Sequence, residues 1–319
     1  GRRTSGAGVD RAGAAAVNAG AADVAPGVRP SLAELVALRP LARQRGVVRR
    51  ARSGARALAL SPQRGQGMEY AESRDYVAGD DARHIDWRVT ARTGRPHTKT
   101  FQRERERLTL IVADTAAALY FGTRVRFKST QAARAGAIAA WAAAAGGDRI
   151  AALRGSVIEA PVPPAGGTRG ALRVLHALAR WYAAPPEGDA GLGVAMDHAR
   201  RLLRPGSRLL VLADAASAAA VPARDWAAVG AHCDALVLLL DDPLERTPPR
   251  GRLGFASADG RVDLDLSSVA QRGRWREAFD APRDAAIAHL RSTGIGVESL
   301  SSDAPSDVWL PAFARGRMV

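Results

Sequence analysis

Cysteine and lysine are almost missing from this chain, and each shortage excludes a class of chemistry. Cys233 is the only cysteine in 319 residues, so no internal disulfide and no thiolate metal cluster can form within one chain. It reads as a small apolar residue packed ahead of a strand. Lys99 and Lys128 are the only lysines, and arginine carries the rest of the positive charge. The six histidines are scattered, and none makes an H-E-x-x-H pair. G-x-S-x-G is absent, and no Ser-His-Asp or Cys-His set can be assembled. No run of about 18 uncharged apolar residues occurs, and the start lacks the leucine-rich centre of a signal peptide. The expectation is a soluble, cytoplasmic protein with no membrane insertion.

What is present suits an ordinary globular protein: 47% hydrophobic and 24% charged residues, in a chain long enough for one large domain or two modest ones. The formal net charge is +14. Its excess is concentrated in residues 29–64, where Glu34 is the only acid. A basic stretch of this kind, Arg39 to Arg64 above all, would release counterions from a polyanion. The abundance of Arg, Ala, Gly and Pro, however, is also what a GC-rich genome produces, so nucleic acid is the weaker partner reading.

Three segments are expected. Residues 1–28 are rich in Ala and Gly and too poor in large side chains to offset their ordering entropy, so a disordered tail is expected. Residues 29–107 begin with Ser31 as the N-cap of an amphipathic helix that presents Leu32, Leu35, Val36 and Leu38 or Leu41. They continue into a segment of alternating charge, turn signals and aromatics that should lie against the domain C-terminal to it. Residues 108–319 then alternate short apolar runs with helical stretches. "LTLIVAD", "DRIAALRG", "SRLLVLAD" and "DALVLLLDD" read as buried parallel strands. Between them lie helices, one facing inward with Leu172, Leu175, Ala179 and Tyr182 and another with Leu192, Met196, Ala199 and Leu203. Further on come a hairpin turned at Asp259-Gly260, a helix around Trp275 and Phe279 interrupted near Pro282, a last strand in "IGVESLSSD" and a closing helix. The fold class is α/β, with a doubly wound, mostly parallel sheet.

Three of the strands end in acids: Asp114, Asp214, and Asp241 with Asp242. In an open parallel sheet the carboxyl ends of the strands are where ligands sit. Each aspartate alone is read as a helix cap or turn former, and the set together as a shared site. "GTRVRFKS" is not a phosphate loop, because Phe127 stands where the second glycine must be, and "GQGMEY" has too few glycines for a dinucleotide fingerprint.

The strand-end loops resemble the von Willebrand factor A fold, whose metal-ion-dependent adhesion site uses an Asp-x-Ser-x-Ser loop, a threonine and a later aspartate. The resemblance assigns Asp114, Thr168 and Asp214 to that site. Ala116 and Ala118 replace its two serines, so the site is degenerate, with weak Mg²⁺ binding or none.

Upstream, "GMEYAESRDYVAGDDARHIDWRVTARTGRPHTKTFQRERER", followed by "DTAAALYFGT" and a lysine at a helix start, resembles the family called domain of unknown function 58. Glu69, Tyr70, Arg74, Tyr76, Gly79, Asp80, Arg83, Ile85, Asp86 and Trp87 carry its signature ahead of a von Willebrand A-like domain, with Asp81 among them. The resemblance implies that this segment packs on the domain after it. It also implies a non-catalytic adaptor or chaperone-like protein that acts with a MoxR-type AAA+ ATPase, and with other von Willebrand A proteins. Two other classes stand beside it: a metal-dependent hydrolase using Asp114, Asp214 and Asp242, and a basic nucleic-acid-binding protein.

Overall fold

In the computed structural model, residues 27–44, 68–77, 80–103, 107–257 and 260–315 are described. All but the last two residues of the expected tail, most of the arginine-rich stretch and the Asp259 turn residue lie outside them. The chain divides into two compact units, residues 49–107 and the remainder.

The larger unit is built on a six-stranded sheet in the order β10-β7-β6-β3-β4-β5: Gly296–Ser301, Asp234–Asp241, Arg208–Ala213, Leu108–Ala113, Arg149–Arg154 and Val162–Gly166. Five strands are parallel, and β5 runs antiparallel to β4 at the edge. The expected parallel neighbours β3, β6 and β7 sit side by side at the centre and are almost wholly buried. Their apolar runs do not alternate with polar residues because both faces are covered. Ile111, Ala113, Leu210, Leu212, Leu238 and Leu240 join one core, while Leu110, Val112, Leu209, Val211, Val237 and Leu239 join the other. The result is a three-layer, Rossmann-like α/β arrangement with a mixed sheet. The strand β5, "VPPAG", escaped the sequence pattern because its two prolines suit only an edge.

On the first face lie α4 (Lys128–Ala145) and α5 (Gly167–Trp181). Buried nearly all round, α4 needs no amphipathic stripe, which explains its alanine-rich composition. The short helices α1 (Leu32–Ala37) and α2 (Arg39–Gln44) pack on these two, with the Trp141 indole donating to the Leu35 carbonyl at 3.1 Å. The expected single helix breaks at Leu38, one residue before α2 opens with Arg39-Pro40. Leu35, Leu38 and Ala42 are buried, whereas Leu32 and Val36 face out. These helices belong to the α/β unit, so the expected grouping of residues 29–107 divides between the two units.

The second face carries α6 (Gly191–Leu202), α7 (Ala215–Ala220), α8 (Ala223–Gly230) and α10 (Val269–Ser292). Leu192, Met196, Ala199 and Leu203 are buried as expected; on the α5 side Leu175 and Tyr182 are buried as expected together with Ala171, Val174 and Leu178, while Leu172 is exposed. The helix α10 runs unbroken through Pro282. It packs against α7, α8, β10 and the one-turn helix α9 (Pro243–Arg246), which offsets the hydrogen bond that the proline removes. The hairpin strands β8 (Arg252–Ser257) and β9 (Gly260–Asp265) pair antiparallel, and α11 (Leu310–Arg315) closes the unit.

The smaller unit is an antiparallel pair, β1 (Met68–Asp75) with β2 (His97–Arg103), joined through α3 (Trp87–Thr93).

Candidate functional site

The strand order turns back between β3 and β6: β4 continues the sheet to one side, β7 and β10 to the other. The crevice at the carboxyl ends of β3, β6 and β7 is therefore where such a sheet places its ligands. Asp114 and Asp214 flank this point. The Asp114 carboxylate accepts from the amides of Ala116 and Asp214, each at 3.0 Å, and so ties the end of β3 to the end of β6. Burial pushes the Asp114 carboxyl up, against the lowering effect of those amides and the Ser217 hydroxyl.

Asp214 caps α7 through the Ala216 amide at 2.9 Å. Its other oxygen accepts from Lys128 Nζ at 3.3 Å. Lys128 is the first residue of α4, its side chain is 2% exposed, and its ammonium also donates to Glu245 Oε1 at 2.6 Å. The second Glu245 oxygen accepts from the Asp242 amide at 2.9 Å, completing the capping box of α9. Burial lifts the Glu245 carboxyl, and the Lys128 charge opposes the lift. A cation is thus held between two carboxylates at the strand ends, and it is a side chain of the protein itself.

Asp242 is tied elsewhere. It accepts from Thr123 Oγ1 at 2.5 Å, Thr123 N at 3.0 Å, Ser302 Oγ at 2.6 Å and Leu244 N at 3.0 Å. Burial works against its ionisation, but the Ser302 and Thr123 hydroxyls and these amides together hold its carboxyl below the usual range. It anchors the loop before α4 to β7 and β10.

Thr168 is not at this site. Gly166, the last residue of β5, pairs with Arg149, the first residue of β4, so α5 starts at the amino end of the parallel strands. Thr168 is exposed there, at the opposite end of the sheet from Asp114. The antiparallel turn of β5 is the reason, and it was hidden with that strand. The residue that does reach the carboxyl end is Asp189, which precedes α6 and accepts from Thr115 Oγ1 at 3.1 Å.

The donor set fits a divalent ion poorly. Alanine stands at 116 and 118, Thr168 is remote, both Asp114 oxygens are occupied by backbone amides, and one Asp214 oxygen faces an ammonium. Mg²⁺ takes about six oxygens in near-octahedral order, and this crevice does not offer them.

Lys128, Glu245 and Asp189 were missed by reading acids at strand ends alone. Lys128 did leave a signal: where arginine serves nearly every basic position, a lysine opening a buried helix marks a place that needs a compact point charge. Asp241, a strand-end acid already visible in the sequence, is 5% exposed, and among the described residues neither carboxylate oxygen has a hydrogen-bond partner. Its nearest cation, Arg246 Nη1, stands 3.8 Å away, and the nearby Ser301 hydroxyl donates to Asp303 instead. Burial pushes the Asp241 carboxyl up.

That shift sets the sign of a pH effect. Between the unfolded aspartate value of about 3.9 and its raised folded value, Asp241 binds more protons when folded, so its contribution to stability falls as pH rises through that window. Asp241→Asn is expected to raise the melting temperature at pH 7 and to shrink the gain in stability seen on acidification toward about pH 5. Part of that gain should persist, since Asp114 and Glu245 are raised too. Thermal melts across this range check it.

In the smaller unit the signature polar residues organise the chain locally. Arg74 donates to Asp80 at 2.6 Å, and Asp80 also accepts from the Val77 amide at 3.0 Å. That amide, and then Arg74, hold the Asp80 carboxyl low. Asp81 caps the 3₁₀ turn Ala82–His84 through the Arg83 amide. Asp86 caps α3 through the Arg88 and Val89 amides and accepts from Ser73 Oγ at 2.9 Å, the hydroxyl that chiefly lowers its carboxyl. Tyr76 and Ile85 are half-buried and Arg83 is exposed. Glu69 and Tyr70 fall in β1, opposite Gln102 and Phe101; their side chains, and Gly79, lie outside the described residues. Trp87, on the first turn of α3, is 70% exposed.

Comparison with known proteins agrees with the signature. The model of the family described as "Protein of unknown function DUF58" matches residues 72–286. The uncharacterized protein Rv1480 of Mycobacterium tuberculosis (strain ATCC 25618 / H37Rv) and the uncharacterized protein Mb1516 of Mycobacterium bovis are each 31% identical over 257 residues, covering 79% of this chain and 79% of theirs. No solved structure matches the chain. With a family model spanning most of both described units and relatives matched along most of their length, this chain belongs to the DUF58 family.

Proposed function

We propose that this chain is a non-catalytic adaptor of von Willebrand A type, acting in the cytoplasm with a MoxR-type AAA+ ATPase and its von Willebrand A-like associates. The observation that carries the reading is the Lys128 ammonium seated between Asp214 and Glu245 at the switch point of the sheet. It supports a degenerate adhesion site in which a fixed internal charge takes the role that a metal ion has in that fold. The strand order, with one antiparallel edge strand beside β4, supports the same fold type. The strand-end carboxylates of the hydrolase alternative are engaged as caps and cross-links: Asp114 holds backbone amides, and Asp242 holds Thr123 and Ser302. Neither is arranged to activate a water.

The exposed Trp87 is the residue assigned to docking. An indole left 70% exposed beside a capped helix start suits the centre of a protein interface, where tryptophan is enriched. Trp87→Ala is expected to change the melting temperature little and to weaken capture of a cognate MoxR-type ATPase at least tenfold in a quantitative pull-down. A variant that melts several degrees lower would assign Trp87 to packing instead. Unchanged capture would move the docking face elsewhere.

A further inference from the structure

Next to the Lys128 pair, the larger unit opens into a crevice of about 210 Å³ between the end of β7, α7, α9 and α10. Four carboxylates line it, Asp214, Asp241, Glu245 and Asp280, against three cations, Lys128, Arg246 and Arg283. In a chain of net charge +14 this is a local excess of acid. The pairing within it is uneven. Lys128 satisfies Asp214 and Glu245, and Arg283 lies 3.5 Å from Asp280 and 3.1 Å from Asp284. Asp241 is left with both oxygens buried and, among the described residues, without a hydrogen-bond partner. A buried carboxylate in that state is costly unless a donor reaches it.

The surroundings say what kind of donor fits. Phe279 lines the crevice and packs against Trp275, the ring centroids 4.6 Å apart. An aromatic ring that lines the same crevice as an unsatisfied carboxylate suits a planar cation, which can stack on the ring and donate to the acid. Arg246 approaches this arrangement without completing it: it stays 3.8 Å from Asp241, and its side chain is half exposed.

We propose that this crevice receives an arginine side chain from a partner polypeptide, with Asp241 as its counter-charge, Phe279 as its stacking surface and Arg246 as an internal competitor that the incoming guanidinium displaces. The inference rests on the reading of the chain as an interaction module. It also reverses the usual polarity of a metal-dependent adhesion site: with an ammonium already in the cation's place, what the crevice lacks is a donor.

The test is calorimetric titration of the full chain with an arginine tripeptide blocked at both ends, against its citrulline and glutamate counterparts and free L-arginine. The blocked arginine peptide is expected to bind and the citrulline and glutamate peptides at least tenfold more weakly, with Asp241→Asn lowering arginine-peptide affinity at least tenfold. Arg246→Ala, at an exposed position that leaves folding intact, is expected to raise it severalfold. The proposal is overturned if the arginine peptide binds neither wild type nor Arg246→Ala, if citrulline or glutamate binds as well, if Asp241→Asn retains full affinity, or if only free arginine binds. Failure here with ATPase capture still dependent on Trp87 removes the crevice and leaves the adaptor reading. Arginine-peptide binding with capture indifferent to Trp87 keeps the crevice and moves the ATPase docking face away from Trp87.

Discussion

Lys128→Ala should lower the stability of this protein by about 3 to 5 kcal/mol, the loss expected when one member of a buried ion pair is removed and its partners keep their charge. The Lys128 side chain is 2% exposed, and its ammonium touches both Asp214 and Glu245. Without it two carboxylates face each other across the switch point, with Asp241 lining the same crevice. Lys128→Arg is not a conservative control, because a planar fork must be placed where a compact ammonium has two close acceptors. Lys128→Met, paired with Glu245→Gln, should recover part of the loss, since the change then removes charges of both signs. Denaturant unfolding at pH 7 measures these differences. A loss below about 1 kcal/mol for Lys128→Ala would mean that the pair behaves as a solvated surface bridge.

Gly155→Ala is the second change expected to act strongly, with a cost of about 3 kcal/mol from overpacking. Gly155 follows β4, and a Cβ built there would lie 2.0 Å from the Gly191 carbonyl oxygen. That obstacle is backbone at the first residue of α6, so rotating a side chain does not relieve it. The contact matters to the site because the Ala190 amide donates to the Gly155 carbonyl at 2.9 Å, and the adjacent Asp189 joins Thr115 at the end of β3. Displacing α6 would loosen the Thr115–Asp189 bond and the main-chain bridge between Ser156 and Asp189. Unfolding of Gly155→Ala, followed together with amide exchange in residues 186–191, checks both parts. Unchanged stability would show that the turn yields easily.

The central strands could be read from the chain because the interiors of β6 and β7 are apolar without interruption and β3 has only Thr109 among its apolar residues, a pattern that a doubly covered strand tolerates. Helix α6 was legible for a related reason: one stripe of Leu192, Met196 and Ala199 faces the core. The edge was not. Prolines in β5 erased its strand signal, and with it went the direction of the chain into α5, so Thr168 was assigned to the wrong end of the sheet. The acids Asp114 and Asp214 were correctly placed at one edge, but their partners were invisible. A carboxylate that binds backbone amides and one that meets an ammonium look alike until the fold brings Lys128 and Glu245 between them.

Whether a protein ammonium holds the cation's place is tested most directly by thermal melts of wild type and Lys128→Ala with and without millimolar Mg²⁺ or Mn²⁺. Removing the ammonium leaves Asp214 and Glu245 facing a space of its size, so a divalent ion should raise the melting temperature of Lys128→Ala by several degrees and leave that of wild type within about one degree. Stabilisation of the wild type by the same ion, equal to or larger than that of the variant, would contradict the account and restore a metal to the site.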